Sequence, residues 1–325
     1  MPGLRITALA GGVGAARFLT GLIEHCAAHC PGSELTVIGN TADDLRLFGL
    51  HVSPDLDTVM YTLGGGVHPD QGWGRAEESF VVQGELAAYG VEPQWFALGD
   101  RDLATHIVRT QMLGGYPLSD VTAALCRRWL ADTAIPVRLL PMSDDRVETH
   151  VVVTDEQGRR AIHFQEWWVR LRARVPAEQI ALVGAEQARP APGVLDAIAS
   201  CDVLVFPPSN PVVSIGPVLA VPGVREAVTT STAPVVGVSP IIGGRPVRGM
   251  ADACLQAVGV ETSALAVAEM FTDVLDGWLV DDADAAALPA LSALGLRSRS
   301  RDLWMRDRQT TASIAADALA LALDG

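Results

Sequence analysis

A strand, a glycine turn and a helix are predicted, in that order, by residues 4–24, L-R-I-T-A-L-A-G-G-V-G-A-A-R-F-L-T-G-L-I-E. The segment Leu4–Ala10 is a short apolar run of the kind found in buried parallel strands. A helical pattern follows over Ala15–Glu24, directly after the glycines. The chain therefore opens with the unit from which parallel α/β sheets are built.

Three glycines, Gly11, Gly12 and Gly14, form the predicted turn. Because they lack a Cβ atom, a phosphate can approach the backbone N–H groups at the positive end of the following helix. We therefore predict that this turn binds a phosphate. The pattern G-x-G-x-x-R lacks the third glycine of the dinucleotide-binding fingerprint, so a tight turn without a ligand is the alternative.

Short β-type runs recur along the chain and alternate with helical patterns, which predicts an α/β fold with a Rossmann-like parallel sheet flanked by helices. These runs are Leu35–Ile38, Val137–Leu140, Val203–Phe206, Val235–Val238 and Trp278–Val280.

Two segments depart from that alternation. Residues 67–133 are predicted to form a smaller, mainly helical insertion, with helices over Glu77–Tyr89, Leu103–Met112 and Ser119–Leu130. Residues 148–165 are predicted to form a β-hairpin, with strands at Glu148–Thr154 and Arg160–Gln165. The predicted domain organisation is a Rossmann-like core of residues 1–66 and 134–325 that carries the hairpin and is interrupted by the insertion.

Composition excludes several classes of protein. With 325 residues and 49% hydrophobic residues the chain can bury a full core, which argues against disorder. The formal charge of −14 disfavours a nucleic-acid partner, and no apolar stretch is long enough to span a membrane. Five cysteines without a C-x-x-C pair suit a reducing compartment, so a cytoplasmic location is expected.

All 24 basic residues are arginine, since the sequence contains no lysine. A Walker-type phosphate lysine, a Schiff-base lysine and a protein-kinase lysine are therefore excluded. Any phosphate must be held by backbone N–H groups, arginine or a metal ion.

Acidic residues follow the second predicted strand in two groups, Asn40–Asp44 (N-T-A-D-D) and Ser53–Thr58 (S-P-D-L-D-T). In a doubly wound sheet these loops open on the same edge as the glycine turn, so their side chains can share one crevice. Mg²⁺ typically uses one or two carboxylates together with substrate phosphates. The alternative is that Asp55 or Asp57 only caps a helix beginning near Thr58.

Further polar groups lie beyond other strands. Asp144, in M-S-D-D, and the pair Ser209 and Asn210, in P-P-S-N-P, suit substrate loops, although an Asn-Pro turn without a ligand is the alternative. The segment G-D-R-D, residues 99–102, begins a helix on which Asp102, His106 and Arg109 share a face by i, i+4 and i+7 spacing, which an ion-paired helical surface would explain.

The adjacent tryptophans Trp167 and Trp168 offer either a planar surface for a fused-ring ligand or core packing. Neither the spacing nor the composition of this segment decides between the two.

Taken together, these residues resemble the CofD/FbiA family, and the likeness covers nearly the whole chain. It is carried by the segments 10–19, 40–44, 53–66, 99–109, 142–150, 163–170, 207–216 and 239–244, which read A-G-G-V-G-A-A-R-F-L, N-T-A-D-D, S-P-D-L-D-T-V-M-Y-T-L-G-G-G, G-D-R-D-L-A-T-H-I-V-R, M-S-D-D-R-V-E-T-H, H-F-Q-E-W-W-V-R, P-P-S-N-P-V-V-S-I-G and S-P-I-I-G-G.

The resemblance implies a Mg²⁺-dependent transferase of coenzyme F-420 biosynthesis, and the T-L-G-G-G and H-F-Q-E-W-W segments resemble its actinobacterial FbiA branch. Such an enzyme joins a phosphoenolpyruvyl group from a guanosine diphosphate-linked donor to the deazaflavin alcohol Fo, 7,8-didemethyl-8-hydroxy-5-deazariboflavin. The products are dehydro-F-420-0 and GMP. The archaeal branch uses a 2-phospho-L-lactyl donor instead, and the family suggests a homodimer.

On that basis we predict Asp43 and Asp57 as Mg²⁺ ligands, with Asp57 also near the Fo hydroxyl. Asp44 is a candidate base, and Arg101 neutralises phosphate or acid charge. The remaining predicted substrate-binding residues are Gly11, Gly12, Gly14, Asn40, Asp55, Asp144, Ser209 and Asn210.

Two other functions compete with this hypothesis. The family also resembles YvcK-like proteins, which bind sugar nucleotides as regulators and do not catalyse a reaction. An NAD-dependent oxidoreductase is the second alternative, although Asp43 follows Gly14 by 29 positions, against about 20 in the dinucleotide-binding fingerprint.

Overall fold

The computed structural model describes residues 3–324, and a seven-stranded parallel sheet forms the centre of that range. Three smaller antiparallel sheets surround it. The strands are β1 (Arg5–Ala10), β2 (Glu34–Gly39), β3 (Leu45–Leu47), β4 (Leu50–Val52), β5 (Val137–Pro141), β6 (Glu148–Asp155), β7 (Gly158–His163), β8 (Ala177–Val183), β9 (Val203–Phe206), β10 (Val235–Val238), β11 (Ile241–Ile242), β12 (Arg245–Pro246), β13 (Gly277–Val280) and β14 (Arg297–Ser300).

The order of strands in the main sheet is β14-β13-β10-β9-β1-β2-β5, and each neighbouring pair is parallel. From β1 the chain adds β2 and β5 on one side, and it then crosses to β9 and continues outward on the other. The direction of winding therefore reverses between β1 and β9. In doubly wound sheets the carboxyl edge at such a reversal opens a crevice that binds ligands.

Helices cover both faces of this sheet. Helices α1, α2, α5 and α12 bury apolar residues against one face, and α6, α8, α10 and α11 do so against the other. No helix in the described part of the chain combines the length and the apolar character needed to cross a bilayer. The helices are α1 (Gly12–His29), α2 (Pro54–Leu63), α3 (Val81–Ala88), α4 (Asp100–Met112), α5 (Leu118–Trp129), α6 (Val194–Ser200), α7 (Gly216–Ala220), α8 (Val224–Thr229), α9 (Ala251–Ala257), α10 (Ala264–Glu269), α11 (Leu288–Ala293) and α12 (Arg308–Leu323).

The predicted α/β class is confirmed, and the predicted parallel strands are all present to within a residue or two at their ends. Residues 67–133 contain the helices α3, α4 and α5, of which α5 also packs beside β5 of the main sheet. The division of the chain into core and insertion stays a prediction.

Several predicted boundaries were wrong, and helix α1 runs over Gly12–His29 where Ala15–Glu24 was predicted. The helix expected from Glu77 begins at Val81, because the Asp100 carboxylate accepts hydrogen bonds from the backbone N–H groups of Val81 and Val82 and caps it there. The hairpin strand expected to reach Gln165 ends at His163, where the chain turns into a short π-helical segment, Glu166–Arg170.

The helix expected near Thr58 begins earlier, at Pro54. Proline suits the first position of a helix, because its missing N–H would have no partner there. Asp55 and Asp57 therefore lie inside the first turns of α2, and Ser53 occupies the position before it. Neither aspartate is the N-cap residue, so the capping alternative was wrong.

Candidate active site

A cleft of about 500 Å³ opens at the carboxyl edge of the sheet, where the winding reverses between β1 and β9. The loop after β1 supplies Gly11, Gly12 and Gly14, and the loop after β9 supplies Ser209 and Asn210. The two predicted loops thus meet across one site. Its other polar and aromatic lining residues include Asp43, Asp55, Asp57, Tyr61, Trp73, Phe96, Asp102, His106, Phe164, Gln165, Trp168 and Arg248.

The glycine turn is shaped for close approach of a neighbouring backbone. Gly12 has a φ of +70°, in the left-handed region that favours glycine. A Cβ atom on Gly14 would collide with the carbonyl oxygen of Pro208. The hydroxyl of Ser209 donates a 3.0 Å hydrogen bond to the carbonyl oxygen of Gly11, which ties the two loops together. The glycine turn and the loop after β9 are therefore held together where both line the cleft.

We expect Gly14→Ala to lower the free energy of unfolding, because the added methyl must push the two loops apart. Gly84→Ala makes the same chemical change on α3, where a new Cβ meets no atom within 4 Å. That control should be neutral or stabilising by up to about 1 kcal/mol. Urea denaturation of both variants tests this, and equal effects of the two changes would contradict it.

Two buried carboxylates, Asp43 and Asp55, lie in the cleft beside the glycine turn. Asp55 accepts a 2.8 Å hydrogen bond from the side-chain amide of Asn40. The Oδ1 atom of Asp43 is buried without a hydrogen-bond partner. A buried carboxylate oxygen without a hydrogen-bond partner destabilises the folded state unless a ligand binds it.

Burial, together with the neighbouring carboxylates of Asp55 and Asp44, raises the pKa of Asp43 well above its usual value. Burial likewise raises the pKa of Asp55 to about 7, although the amide of Asn40 acts against it. Two such carboxylates side by side repel each other when both are ionised. A divalent cation between them would remove that repulsion.

Asp44 has a different environment from its neighbour and does not line the cleft. Its Oδ2 atom accepts hydrogen bonds from His51, at 2.9 Å, and from the hydroxyl of Ser53, at 2.7 Å. The contact with Ser53 joins the loop after β2 to the start of α2. Asp44 therefore holds two neighbouring segments together, and its predicted role as a base stays untested.

Asp57 lines the cleft and forms a buried ion pair with Arg109 of α4. The guanidinium binds both carboxylate oxygens, with 2.9 Å between Nη1 and Oδ2. Only 2% of Arg109 is exposed. Burial alone would lower the pKa of Arg109, but the Asp57 carboxylate raises it above its usual value. Asp57 is thus held in one orientation by a permanent positive charge.

His106 and Asp102 extend this network to the surface of the cleft. Nη1 of Arg109 lies 3.2 Å from Nδ1 of His106, and because a guanidinium can only donate, Nδ1 accepts in this contact. Nε2 lies 3.3 Å from Oδ2 of Asp102, whose other oxygen accepts from the hydroxyl of Tyr61 at 2.7 Å.

The shared helix face of Asp102, His106 and Arg109 was predicted correctly, but its interpretation as an exposed surface was wrong, because His106 and Arg109 are 1% and 2% exposed. Asp57, Asp102 and His106 also lie close enough together to suggest a metal site. Arg109 argues against one, since its charge already lies against Asp57 and His106.

Arg101 and Asp144 were predicted site residues that the structure does not place among the lining residues. The guanidinium of Arg101 lies 3.0 Å from Glu77 on the surface. Asp144 accepts hydrogen bonds from the N–H and the hydroxyl of Ser119 at the start of α5. These contacts account for both side chains without a ligand, and their proposed functional roles remain untested.

Asn210 lines the cleft and also caps a short helical segment, since its Oδ1 accepts from the N–H groups of Val212 and Val213. Its Nδ2 is buried without a partner. The turn and the ligand-binding interpretations of this residue are therefore compatible.

The two adjacent tryptophans have different environments, and each matches one of the interpretations that the sequence left open. Trp167 is fully buried and donates a hydrogen bond to the carbonyl oxygen of Val175, whereas Trp168 lines the cleft. Arg248, which follows β12 and also lines the cleft, was not among the predicted residues. The segment S-P-I-I-G-G, just before it, was the available signal.

Residues 6–314 match the protein family described as "2-phospho-L-lactate transferase CofD". The chain belongs to the CofD family.

The sequence is also 63% identical to a Thermobifida fusca protein named "Phosphoenolpyruvate transferase", over 99% of this chain and 98% of that protein. A Kitasatospora aureofaciens protein of the same name is 64% identical, over 98% of each chain. Among solved structures, protein BH3568 from Bacillus halodurans is similar to this CofD-family chain with a TM-score of 0.61 and 19% identity, covering 98% of this chain and all of that one. At that identity the structural match supports the fold alone.

Proposed function

We propose that this CofD-family chain transfers the phosphoenolpyruvyl group from its guanosine diphosphate-linked donor to the ribityl hydroxyl of Fo, releasing GMP and forming dehydro-F-420-0. The observation that carries the proposal is the family match over residues 6–314, which includes every loop that lines the cleft. Relatives named for phosphoenolpyruvate favour that donor over its 2-phospho-L-lactyl counterpart.

The cleft fits a Mg²⁺ ion, and we propose Asp43 and Asp55 as its protein ligands. Asp43 has an unpartnered buried oxygen, and both carboxylates lie beside the predicted phosphate turn. Mg²⁺ prefers oxygen ligands and commonly takes one or two carboxylates. When bound, the ion would offset negative charge on the diphosphate. The prediction of Asp57 as a ligand is untested, and the Arg109 ion pair makes Asp55 the better candidate.

In the proposed reaction the hydroxyl oxygen of Fo forms a bond to the phosphorus that carries the enolpyruvyl group. The bond from that phosphorus to the bridging oxygen breaks, and the electron pair leaves with GMP. Asp57 accepts a hydrogen bond from the attacking hydroxyl and receives its proton. Arg109 fixes the orientation of that carboxylate, so the chain contributes mainly alignment and charge compensation.

The remaining walls of the cleft suit the acceptor. Trp73, Phe96, Phe164 and Trp168 contribute aromatic side chains to the lining of the cleft. A planar fused-ring system can pack on such side chains over a large apolar area. We propose that the deazaflavin ring binds there, with its ribityl chain directed toward Asp57.

The proposal is tested by incubating the protein with Fo, Mg²⁺ and each guanylated donor in turn, followed by mass analysis of the deazaflavin product. We expect dehydro-F-420-0 from the enolpyruvyl donor and no product when Mg²⁺ is removed by a chelator. Product from the lactyl donor alone would overturn the donor assignment. Guanine-nucleotide binding without product from either donor would favour the regulatory, YvcK-like alternative.

A further inference from the structure

The cleft contains an imbalance of charge. Four aspartates line it, Asp43, Asp55, Asp57 and Asp102, whereas Arg248 is the only lysine or arginine among the lining residues of the described chain. Arg109 neutralises Asp57 from behind but does not itself reach the cleft surface. Carboxyl groups therefore outnumber cationic side chains around the site, and a diphosphate that enters it needs cations in addition to the backbone N–H groups.

Arg248 is placed over the glycine turn by the loop that follows the β11–β12 hairpin. A Cβ atom built on Gly72 would lie 2.7 Å from Val13 and 3.1 Å from Nη1 of Arg248, so these three residues meet at one point. Val13 lies between the glycines of the predicted phosphate turn. The guanidinium is thus close to the side chain of Val13, in the glycine turn.

The position of this side chain is set by contacts on two sides. Its Nη2 donates a hydrogen bond to the carbonyl oxygen of Gln71, in the loop before α3. The next residue, Gly249, has a φ of +75° and packs so closely that a Cβ would lie 2.9 Å from the ring of Trp168. The loop is therefore held against the cleft before any ligand arrives.

The charge of Arg248 is free for a ligand. Within the described residues no carboxylate lies within ion-pair distance of its guanidinium, and the contact with Gln71 is to a neutral oxygen. A guanidinium has five N–H donors in a planar fork that matches a phosphate. Most of those donors remain available beside the turn.

We propose that Arg248 binds the diphosphate of the guanylated donor beside the glycine turn. This role was predicted for Arg101, which the structure places in a surface pair with Glu77. The inference rests on the proposed function only in taking a guanosine diphosphate group as the ligand.

The test compares the affinity of GDP and of guanosine for Arg248→Gln, Arg248→Lys and the control Arg245→Gln, by calorimetric titration in Mg²⁺. We expect Arg248→Gln to weaken GDP binding by about 10- to 100-fold, as loss of hydrogen bonds to a charged group does, and to leave guanosine binding unchanged. Arg248→Lys should recover part of the loss. Arg245, three positions earlier and exposed, does not line the cleft, so Arg245→Gln should match the parent chain.

Steady-state kinetics provides a second measurement. In Arg248→Gln the KM for the donor should rise by a similar factor while the KM for Fo stays within about twofold, as expected when one ligand alone loses a contact. Thermal unfolding should be unchanged, since Arg248 is exposed.

Unchanged GDP affinity in Arg248→Gln would overturn the proposal, and so would an equal loss for guanosine. Loss confined to the acid-bearing donor, with GDP unaffected, would also overturn it, because the contact would then be to the carboxylate. If the parent chain forms no product but GDP binding still depends on Arg248, the proposed function fails and this inference stands.

Discussion

The Asp43→Asn variant is expected to turn over at least about 100-fold more slowly than the parent chain. An amide in place of the unpartnered carboxylate removes one of the two proposed Mg²⁺ ligands, so the diphosphate loses its charge compensation. Turnover is measured with Fo and each donor at saturating concentration, over a range of Mg²⁺ concentrations. Unchanged turnover at limiting Mg²⁺ would contradict the assignment.

The same substitution should leave the metal-free protein as stable as the parent chain or more so. Burial and the neighbouring carboxylates raise the pKa of Asp43 in the folded state. A carboxylate whose folded pKa lies above its unfolded pKa destabilises the fold once the pH exceeds the unfolded value, and Asn removes that ionisation. Activity and stability should therefore change in opposite directions, which separates a lost ligand from a damaged fold.

A matched control is Asp196→Asn on α6, an exposed residue outside the cleft. It makes the same change from acid to amide and should alter neither turnover nor the urea midpoint at pH 7. A drop in activity for both variants would point to a general effect of charge rather than to the site.

Removing Arg109 should produce the largest loss of stability. In Arg109→Met the Asp57 carboxylate stays buried without its partner, at an expected cost of about 3–5 kcal/mol in the free energy of unfolding. The double variant Asp57→Asn/Arg109→Met should lose less than the sum of the two single variants, because no uncompensated charge then remains. Urea denaturation of all four proteins measures this coupling.

The control for that cycle is Arg225, whose ion pair with Asp273 is 3.0 Å long but lies on the surface. Arg225→Met should cost at most about 1 kcal/mol, since exposed pairs are screened by water and salt. Equal losses of unfolding free energy for Arg109→Met and Arg225→Met would show that the buried ion pair contributes no more to stability than the exposed one.

Elements with strong local signals were predictable. Short local patterns were enough to predict the central strands, from their apolar runs, and the turn after β1, from its glycines. The fold class and the location of the cleft followed from these patterns. Strand β14 illustrates the limit, because its sequence Arg297–Ser300, R-S-R-S, lies at the sheet edge and has no apolar run. Only pairing with β13 makes it a strand.

The sequence by itself determined the α/β class, the glycine turn, the absence of lysine chemistry and the acidic loops that meet at the carboxyl edge. Only the tertiary structure decided that Asp57 pairs with Arg109, 52 residues away, and that Arg248 rather than Arg101 lines the cleft. Local periodicity specifies which face of an element a residue occupies. It does not specify what another element brings against that face, and the charges in this site are balanced between elements that are distant in sequence.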